Sequence, residues 1–487
     1  LPGATVTQVG VQADLPGVGT VVACGEAIHS PGRVARLAPL QYGYGDLPGA
    51  LAAIESAREL RRRRPVALLP SLGVPLLDDV DAALSSLQRN LRAHGERRTA
   101  WEPGWQLVDG DPLLQVSDHV WQSTSRNAAA TFVVAPSGKV LAIDCGYDEL
   151  LTPVGASASA PHRRRGSIRA ARALLERVGA TGIDVVLVSH YHDDHVAGIP
   201  LLQRVYGTSC WCPGWFADIL ERPHDFAFPC TWPVPIDVGR RLDPGVATRW
   251  EGIDLTCTPM SGHTRFSAAL ELEIDGLRIA HLGDQVFSVR GWEAAPGAAA
   301  AFDWERDELW PTHVYRNGAA LGSFAETAAW LAERRPDLVL GGHQPPMRTS
   351  DAFFRRAHEW GARFDELHRD SMTLADEEPH FGLDALPGWI VPYRVRLPSP
   401  GRFTVRATLR NPLPCATTLE ALLVGPPGWV GEPARAAAPA RGEVELELAM
   451  VAGTRSRRQP VAVELRAGGR PFGQVAEALV TVGPEPF

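Results

Sequence analysis

A buried strand that runs directly into a cluster of histidines and aspartates limits the folds open to this chain more than any other segment. The apolar run IDVVLVS is followed at once by HYHDDH. In an extended chain residues i and i+2 project to the same side, so His190 and His192 can bind one cation together. Asp194 and His195 follow as the chain turns toward a helix, and they face an adjacent point. The motif therefore predicts two metal ions side by side.

Three blocks of different pattern succeed one another. Residues 101–386 alternate strand-like and helix-like segments, with hairpins turning at Ser137-Gly138 and Asp275-Gly276. This block predicts a mixed α/β domain, the catalytic one. Residues 387–487 lose the helices and alternate apolar and polar residues, as in GRFTVRATLRN and GEVELELAM. That pattern predicts a β-sandwich of immunoglobulin-like type.

Residues 1–100 repeat a later part of the chain. A shift of about 271 positions aligns YGYGDLPGALAAIESARELRRRRPVALLPSLGVP with the segment that ends TAAWLAERRPDLVLGGHQPP, and Leu72 then stands opposite His343. Further upstream, Gly25-Glu26 corresponds to Gly283-Asp284. Because leucine cannot bind a metal, we expect a degenerate, non-catalytic half-repeat, whose preceding half is absent from this sequence.

Three further candidate ligands stand directly after apolar runs. His263 follows IDLTCTPM, Asp284 ends LRIAHLGD, and His343 follows PDLVLGG. Sheets of α/β proteins place ligand sites at such strand ends. Imidazoles with one or two carboxylates suit zinc, and iron, manganese or nickel also fit.

The order HYHDDH, GHT, GD and GH resembles the metallo-β-lactamase-fold hydrolase superfamily, with Asp144 of AIDCG as a further motif position. The resemblance covers about the middle block and implies an αββα sandwich with the metals between the edges of its two sheets. It also implies that Asp284 bridges two metals and that Asp144 supports the site without binding directly. The implied ligands are His190, His192 and His263 for one metal, and Asp194, His195 and His343 for the other.

Such a centre implies hydrolysis. Two divalent ions about 3.5–4 Å apart lower the pKa of a shared water toward about 7, and the resulting hydroxide attacks a carbonyl or phosphoryl centre. We therefore predict a hydrolase with two zinc ions and with Asp194 and Asp284 as catalytic residues. The substrate would be a small-molecule ester, lactone, thioester, amide or phosphoester. The alternative is an iron-dependent oxidoreductase resembling persulfide dioxygenases; His192 favours hydrolysis, since related di-iron oxygenases usually carry glutamate there.

Several nearby residues are not expected to be ligands. Asp193 should face solvent or a backbone amide, and Tyr191 and His281 should pack. His313 is a possible substrate contact, and Gly291–Trp310 a flexible insertion or substrate lid. Six tryptophans indicate either an aromatic entrance or ordinary packing: Trp211, Trp215, Trp232, Trp292, Trp304 and Trp310.

Composition narrows the range of partners. A net charge of −8 and a pI near 6.0 argue against nucleic-acid or acidic-membrane binding. No apolar run approaches the roughly 20 residues of a membrane span. Seven scattered cysteines are typical of reduced thiols and fit a cytoplasmic protein. The chain opens without a methionine or an apolar signal core, so we expect that a segment was removed or that the start lies upstream. The oligomeric state is left open.

Overall fold

The computed structural model describes residues 1, 8–35, 47–95, 112–124, 128–146, 166–288 and 302–484. The chain forms one compact unit from Leu1–Glu221 and Pro229–Met372 and another from Arg222–Phe228 and Thr373–Phe487. The described residues before position 100 thus belong to the same unit as most of the middle block, and the predicted limits at 100 and 386 stay a prediction. Within the described part, no helix is both long and apolar enough to cross a membrane.

The N-terminal part combines a three-stranded sheet with two helices. Strand β1 (Val11–Leu15) pairs antiparallel with β2 (Gly19–Gly25), which pairs parallel with β3 (Ala67–Pro70). Helices α1 (Leu47–Arg62) and α2 (Val80–Gly95) pack against each other. The order of strand, helix and strand is the one that the apolar runs predict.

A seven-stranded sheet follows along the chain. Its strands in chain order are β4 (Leu113–Gln115), β5 (Val120–Ser123), β6 (Thr131–Val134), β7 (Val140–Ile143), β8 (Val185–Leu187), β9 (Ser209–Pro213) and β10 (Val238–Leu242). The strands lie side by side in the same order as they occur in the chain, and β7 to β10 run parallel. The connecting helices are α3 (Gly166–Val178), α4 (Asp193–Val196), α5 (Ile199–Tyr206) and α6 (Ala217–Glu221). All three side chains of β8 are buried, as expected for a strand covered on both faces.

A second large sheet has the strand order β11-β12-β13-β14-β17-β18, and β15 pairs with β16 beside it. These strands are β11 (Thr248–Trp250), β12 (Ile253–Pro259), β13 (Ala268–Ile274), β14 (Leu277–His281), β15 (Val286–Ser288), β16 (Leu309–Pro311), β17 (Leu338–Leu340) and β18 (Met347–Arg348). Helices α7 (Ser323–Arg334) and α8 (Asp351–Ser371) pack against each other.

The two large sheets pack face to face through one aliphatic core. Leu141 and Leu187 of the seven-stranded sheet share this core with Leu270 and Ile279 of the six-stranded sheet. The other face of the six-stranded sheet carries Val339, which packs among side chains of α7 and α8. Helices α3, α5 and α6 contact strands of the seven-stranded sheet. The layers confirm the predicted αββα architecture.

The second compact unit is built from two sheets, ordered β19-β21-β25-β23 and β20-β27-β26-β22-β24. Its strands are β19 (Gly388–Val391), β20 (Arg394–Leu397), β21 (Gly401–Arg410), β22 (Thr417–Val424), β23 (Val430–Gly431), β24 (Ala434–Ala438), β25 (Glu443–Ala452), β26 (Ser456–Ala467) and β27 (Arg470–Val482). Alternate side chains of both sheets form a single apolar core. The predicted β-sandwich is confirmed, and its immunoglobulin-like topology stays a prediction.

The two repeat segments agree in element order and register. The series β1, β2, α1, β3, α2 corresponds to β13, β14, α7, β17, α8. In the first series Val21 pairs with Ala67, and in the second Ile279, 258 positions after Val21, pairs with Leu338, 271 positions after Ala67. These shifts are those of the sequence alignment. The agreement supports a duplication, which stays a prediction; residues 42–46 of the aligned segment lie outside the described ranges.

The expected lid, Gly291–Trp310, is described only from residue 302 onward. In that part Trp304 is buried, stacks on Phe302 and donates from Nε1 to the carbonyl oxygen of Arg348 at 2.7 Å. A buried indole with a satisfied N–H anchors a chain segment, so a flexible loop is the wrong description for this part. Trp211 and Trp215 pack at the core between the large sheets, in line with ordinary packing.

Candidate metal centre

The candidate ligands lie where four strands of the sandwich end. The motif after β8 places His190 and His192 in extended chain, and α4 begins at Asp193, so Asp194 and His195 project from its first turn. The other candidates follow β12, β14 and β17. Since β14 and β17 are parallel neighbours, their carboxyl ends meet at one edge of the sheet.

The structure brings all seven candidates together in two adjoining groups. Within each group, one possible ligand atom per residue lies within 4.8 Å of the others. No member is more than 5% exposed. The first group is His190, His192 and His263, and the second is Asp194, His195, Asp284 and His343.

Asp284 touches both groups. Its Oδ1 lies 3.2 Å from Nε2 of His195, and its Oδ2 lies 2.9 Å from Nε2 of His343. The same Oδ2 lies 3.7 Å from Nε2 of His263, which belongs to the other group. A carboxylate in this position has the reach that the bridging role requires.

Asp144 and Ser189 hold the rings of His195 and His190 through hydrogen bonds to Nδ1. Nδ1 of His195 donates to Oδ2 of Asp144 at 2.9 Å. The Ser189 hydroxyl donates to the same carboxylate at 2.6 Å, so its oxygen is left to accept from Nδ1 of His190 at 3.0 Å. Both histidines therefore carry their proton on Nδ1 and present an Nε2 lone pair to the site, as metal-binding histidines commonly do.

Thr312 does the same for His263. Its hydroxyl donates to the carbonyl oxygen of Asp284, and its oxygen lies 3.0 Å from Nδ1 of His263. The hydroxyl oxygen is thus the acceptor for the Nδ1 proton, and Nε2 of His263 faces the other ligands.

Asn317 orients His192 through a buried network. The two ends of its amide lie 2.8 Å from Nε2 of His192 and 2.7 Å from the hydroxyl of Tyr191. That hydroxyl donates its single proton to the carbonyl oxygen of Pro229, which can only accept, at 2.8 Å. In the structure, Oδ1 of Asn317 faces the hydroxyls of Tyr191 and Thr264, and Nδ2 faces His192. Because the proton of the Tyr191 hydroxyl goes to Pro229, the amide is assigned with its two ends exchanged, so that its NH₂ faces Tyr191 and its oxygen faces His192. The proton of His192 then lies on Nε2, and Nδ1, 3.0 Å from Nε2 of His263, is available to a cation.

Ser189, Thr312 and Asn317 are not among the residues that the sequence motifs predict. Ser189 has a positional signal, because it directly precedes His190. Thr312 and Asn317 carry none, because hydroxyl and amide residues are common in loops and these two lie far along the chain from the histidines they contact.

The donor atoms fit divalent cations. Nε2 of His190 and both carboxylate oxygens of Asp194 and Asp284 are buried without a hydrogen-bond partner. In the described part of the chain, the ion pairs recorded for these two carboxylates involve imidazoles and no arginine or lysine. Buried carboxylates without compensating charge cost several kcal/mol each. Five imidazoles and two carboxylates are a donor set that zinc accepts.

The pKa values of the site histidines differ according to how close each imidazole lies to Asp194 and Asp284. Burial disfavours the charged form of His343, but Asp284 and Asp194 outweigh burial and raise its pKa to about 9. For His263 burial dominates and lowers the pKa to about 4. Burial likewise lowers the pKa of His190 and His192 well below the usual range. Positive charge is thus most strongly favoured in the group that contains both carboxylates.

Two glycines permit the close approach of these loops. A Cβ on Gly342 would overlap His195 and Asp284. Gly283 has a positive φ of 53°, and a Cβ there would lie 2.8 Å from Oγ of Ser189.

The remaining candidates lie as follows. Asp193 is partly exposed on α4, and Tyr191 and His281 are buried, as expected. His313 is 5% exposed and packs edge-on against the rings of Tyr315 and His368, so its position favours packing over the substrate contact considered above.

Comparison with known proteins agrees with this geometry. Residues 140–343 match the family model described as the beta-lactamase superfamily domain. A hydroxyacylglutathione hydrolase of Aeromonas salmonicida is 28% identical over 117 residues, which are 24% of this chain. The match spans 39% of that relative's length.

Solved structures give similar matches. The MIM-2 metallo-beta-lactamase is 19% identical, with 54% of this chain and 93% of that chain covered and a TM-score of 0.38. BJP-1, a subclass B3 metallo-beta-lactamase of Bradyrhizobium japonicum, is 14% identical, with 53% and 94% covered and a TM-score of 0.35. The ligand order, the layer architecture and the family model agree that residues 140–343 have the metallo-β-lactamase fold.

Proposed function

We propose that this protein is a dinuclear zinc-dependent hydrolase of small molecules. The observation that carries the proposal is the arrangement of hydrogen bonds around the site. Four histidines have one ring nitrogen engaged by Asp144, Ser189, Thr312 or Asn317, and the other nitrogen is left for the ligand cluster. For His195 and His263 that nitrogen lies within 4 Å of a carboxylate oxygen of Asp284. Hydrogen bonding of the outer nitrogen is what holds a histidine in the tautomer that binds a metal.

The residues have distinct roles in this proposal. His190, His192 and His263 would hold one zinc ion, Asp194, His195 and His343 the other, and Asp284 both. Bound zinc supplies Lewis acidity and a water of lowered pKa. Asp194, whose Oδ2 lies 3.2 Å from Nε2 of His343, would orient that water and take up its proton. Asp284 offsets part of the cationic charge and keeps the two groups at a fixed separation.

The bond cleaved is the finer part of the proposal. The similarity to a hydroxyacylglutathione hydrolase makes an acylated glutathione, which is a thioester, the first compound to test. Lactones, other esters, amides and phosphoesters follow, because one fold supports many reactions and does not decide among them.

The test combines metal content with a substrate screen. We expect about two zinc ions per chain in protein purified without added metal, measured by elemental analysis. We expect hydrolysis of at least one compound among an acylglutathione, a lactone, nitrocefin and bis-p-nitrophenyl phosphate. His192→Ala should remove one metal and lower the hydrolysis rate at least a hundredfold. The matched control is His358→Ala, because His358 is exposed on α8 outside the site.

Two results would contradict the proposal. One is a His192→Ala protein that keeps both its metal content and its hydrolytic rate. The other is a single bound iron with thiol-dependent oxygen uptake, which would establish the oxidoreductase alternative instead.

A further inference from the structure

Gln122, in β5, is a buried amide on the inner face of the seven-stranded sheet. It is the register partner of Thr131, and the same row continues to Ile143 and Leu187. Ile143 and Leu187 belong to the aliphatic core between the two large sheets, so Gln122 faces the six-stranded sheet. Its side chain is 0% exposed. Because burying an amide among apolar side chains costs free energy unless it is hydrogen-bonded, its partners indicate what it does.

Both hydrogens of the Gln122 amide go to the His343 loop, which we define as Gly341–Gln344. Nε2 of Gln122 donates to the carbonyl oxygen of Gly341 at 3.1 Å and to that of Gln344 at 3.0 Å. Both carbonyl oxygens can only accept, so the amide must present its NH₂ group to them. These two carbonyls stand on either side of Gly342 and His343, so one side chain spans the segment that presents the imidazole.

The rest of the His343 loop is held in a similar way. The backbone N–H of Ala129, just before β6, donates to the carbonyl oxygen of Gly342. Nε2 of Gln344 donates to the carbonyl oxygen of His343 at 3.2 Å. All four carbonyl oxygens of the loop therefore accept hydrogen bonds, three of them from the segment that runs from β5 to β6. Two of the four loop residues are glycines, which have no side chain that could anchor the loop.

The His343 loop brings together ligands from the two large sheets. His343 follows β17 of the six-stranded sheet, whereas Asp194 and His195 follow β8 of the seven-stranded sheet. Nε2 of His343 lies 3.2 Å from Oδ2 of Asp194. Since Gln122 belongs to the seven-stranded sheet, its two hydrogen bonds fix the His343 loop relative to the sheet that supplies Asp194 and His195.

The first group of ligands is held by different residues. The backbone N–H of His263 donates to Oε1 of Gln285 at 2.9 Å, and Gln285 follows β14 of the same six-stranded sheet as His263. The other two members, His190 and His192, come from the motif after β8. A change at Gln122 should therefore act on the second group and leave the first group as it is.

We propose that Gln122 is a positioning residue that holds the His343 loop where its imidazole can bind the same cation as Asp194 and His195. The inference rests on the proposed function, since it concerns how the second zinc ion would be held. Ligand distances in metal sites are kept to within about 0.2 Å, so a loop that loses two of its hydrogen bonds presents His343 less well. Gln122 itself would not touch the cation.

Zinc titration of the full chain against a competing chelator tests this role. In Gln122→Met the side chain keeps its length and loses both donor hydrogens. We expect the second zinc ion to bind 10- to 100-fold more weakly and the first to bind as in the unmodified chain. In cobalt-substituted protein, the absorption of one of the two sites should change.

The matched control is Gln88→Met in α2. Gln88 is 5% exposed and donates from Nε2 to the carbonyl oxygen of Ile54 at 3.2 Å, so it is also a buried glutamine bonded to backbone. Its replacement should lower stability and leave both zinc affinities and the cobalt spectrum unchanged.

A second variant and a measurement without metal guard against loss of folding. Gln122→Glu keeps the size of the side chain, but a carboxyl group has at most one hydrogen to donate. Its affinity for the second zinc ion should lie between those of Gln122→Met and the unmodified chain. In metal-free protein the backbone N–H of Gly342, which donates to the carbonyl oxygen of Gly283 at 2.9 Å, should exchange at least tenfold faster in Gln122→Met.

The outcomes separate this inference from the proposed function. Failure of the proposed function shows in the unmodified chain, as fewer than two bound zinc ions or as absent hydrolysis. Failure of this inference shows only in the variants, and the exchange comparison needs no bound metal. Gln122→Met with the Gly342 exchange or the second-zinc affinity of the unmodified chain overturns it, as does an equal loss of both zinc ions or the same loss in Gln88→Met.

Discussion

A histidine can offer a lone pair at one ring nitrogen only while its proton is held on the other. At this site the proton positions are set by residues that are themselves constrained. Thr312 and Ser189 each give their hydroxyl proton to a stronger acceptor and so become acceptors for a histidine. Asn317 presents its amide oxygen to His192 because the Tyr191 hydroxyl, which gives its proton to Pro229, accepts from the amide NH₂. The ligand geometry is therefore encoded partly in side chains that would not touch a cation.

Asn317 offers a direct test of this encoding. In Asn317→Leu, Nε2 of His192 loses its acceptor, so the proton is no longer held away from Nδ1. We expect zinc affinity to fall about 10- to 100-fold. Asn317→Asp restores an acceptor facing His192 and should recover most of the affinity. Competition with a chelator gives the affinity, and the absorption spectrum of cobalt-substituted protein reports the ligand set.

The control for this test is Asn411→Leu in the second unit. Asn411 is equally buried and donates to two carbonyl oxygens, so its loss costs stability without touching the metal centre. If Asn317→Leu and Asn411→Leu bind zinc equally well, Asn317 has no role in positioning His192.

Gly342 gives a second prediction at this scale. In Gly342→Ala the new methyl group would occupy space held by His195 and Asp284. We expect the protein to bind one zinc per chain instead of two, measured by elemental analysis. In Gly401→Ala the new methyl group meets nothing closer than 3.9 Å, and this variant should bind two. Full occupancy in Gly342→Ala would show that the loop relaxes and that the close approach is not needed.

At the scale of single residues, the seven ligand candidates could be predicted because they follow apolar runs and because four of them are nearly contiguous. Their supporting residues could not be predicted. Thr312 acts through a hydroxyl whose direction depends on the carbonyl of Asp284, and that contact exists only after β14 and β16 are in place. Residues that lie far apart along the chain give no local sequence pattern that identifies them as hydrogen-bond partners.

At the scale of elements, strands with unambiguous apolar patterns were predictable, and strands without them were not. The run IDVVLVS contains β8, and LELEIDGLRIAH contains most of β13 and all of β14. Strand β1 escaped prediction because its five residues, VQADL, are all exposed and include two polar side chains.

Helix α8 supports a prediction at the element scale. Its N-cap, Ser350, accepts a hydrogen bond from the backbone N–H of Phe353. Ser350→Ala leaves that N–H without its cap and should lower stability by about 1 kcal/mol, while Ser350→Thr should retain most of it. Thermal unfolding measures the loss, and metal content should stay unchanged. Equal stability of Ser350→Ala and Ser350→Thr would mean that water replaces the cap at no cost.

At the scale of the whole molecule, the candidate metal ligands are distributed unevenly between the two compact units. All seven candidate ligands lie in the first compact unit, and no described residue of the second unit is among them. Cations in this position would connect loops that follow strands of both large sheets. Metal binding should therefore stabilise the first unit in particular, because a ligand stabilises the folded unit that binds it.

Calorimetry with and without zinc tests whether zinc stabilises the first unit in particular. At a thousandfold excess of free zinc over its dissociation constant, binding adds about 4 kcal/mol. Removing zinc with a chelator should lower one unfolding transition by on the order of 10 °C and leave a second transition in place. Leu448→Ala, in the core of the second unit, identifies the second transition, because a buried Leu→Ala change costs about 2–5 kcal/mol there. A single transition that moves as a whole, with zinc removal and with Leu448→Ala alike, would show that the two units unfold together and that the cations stabilise both.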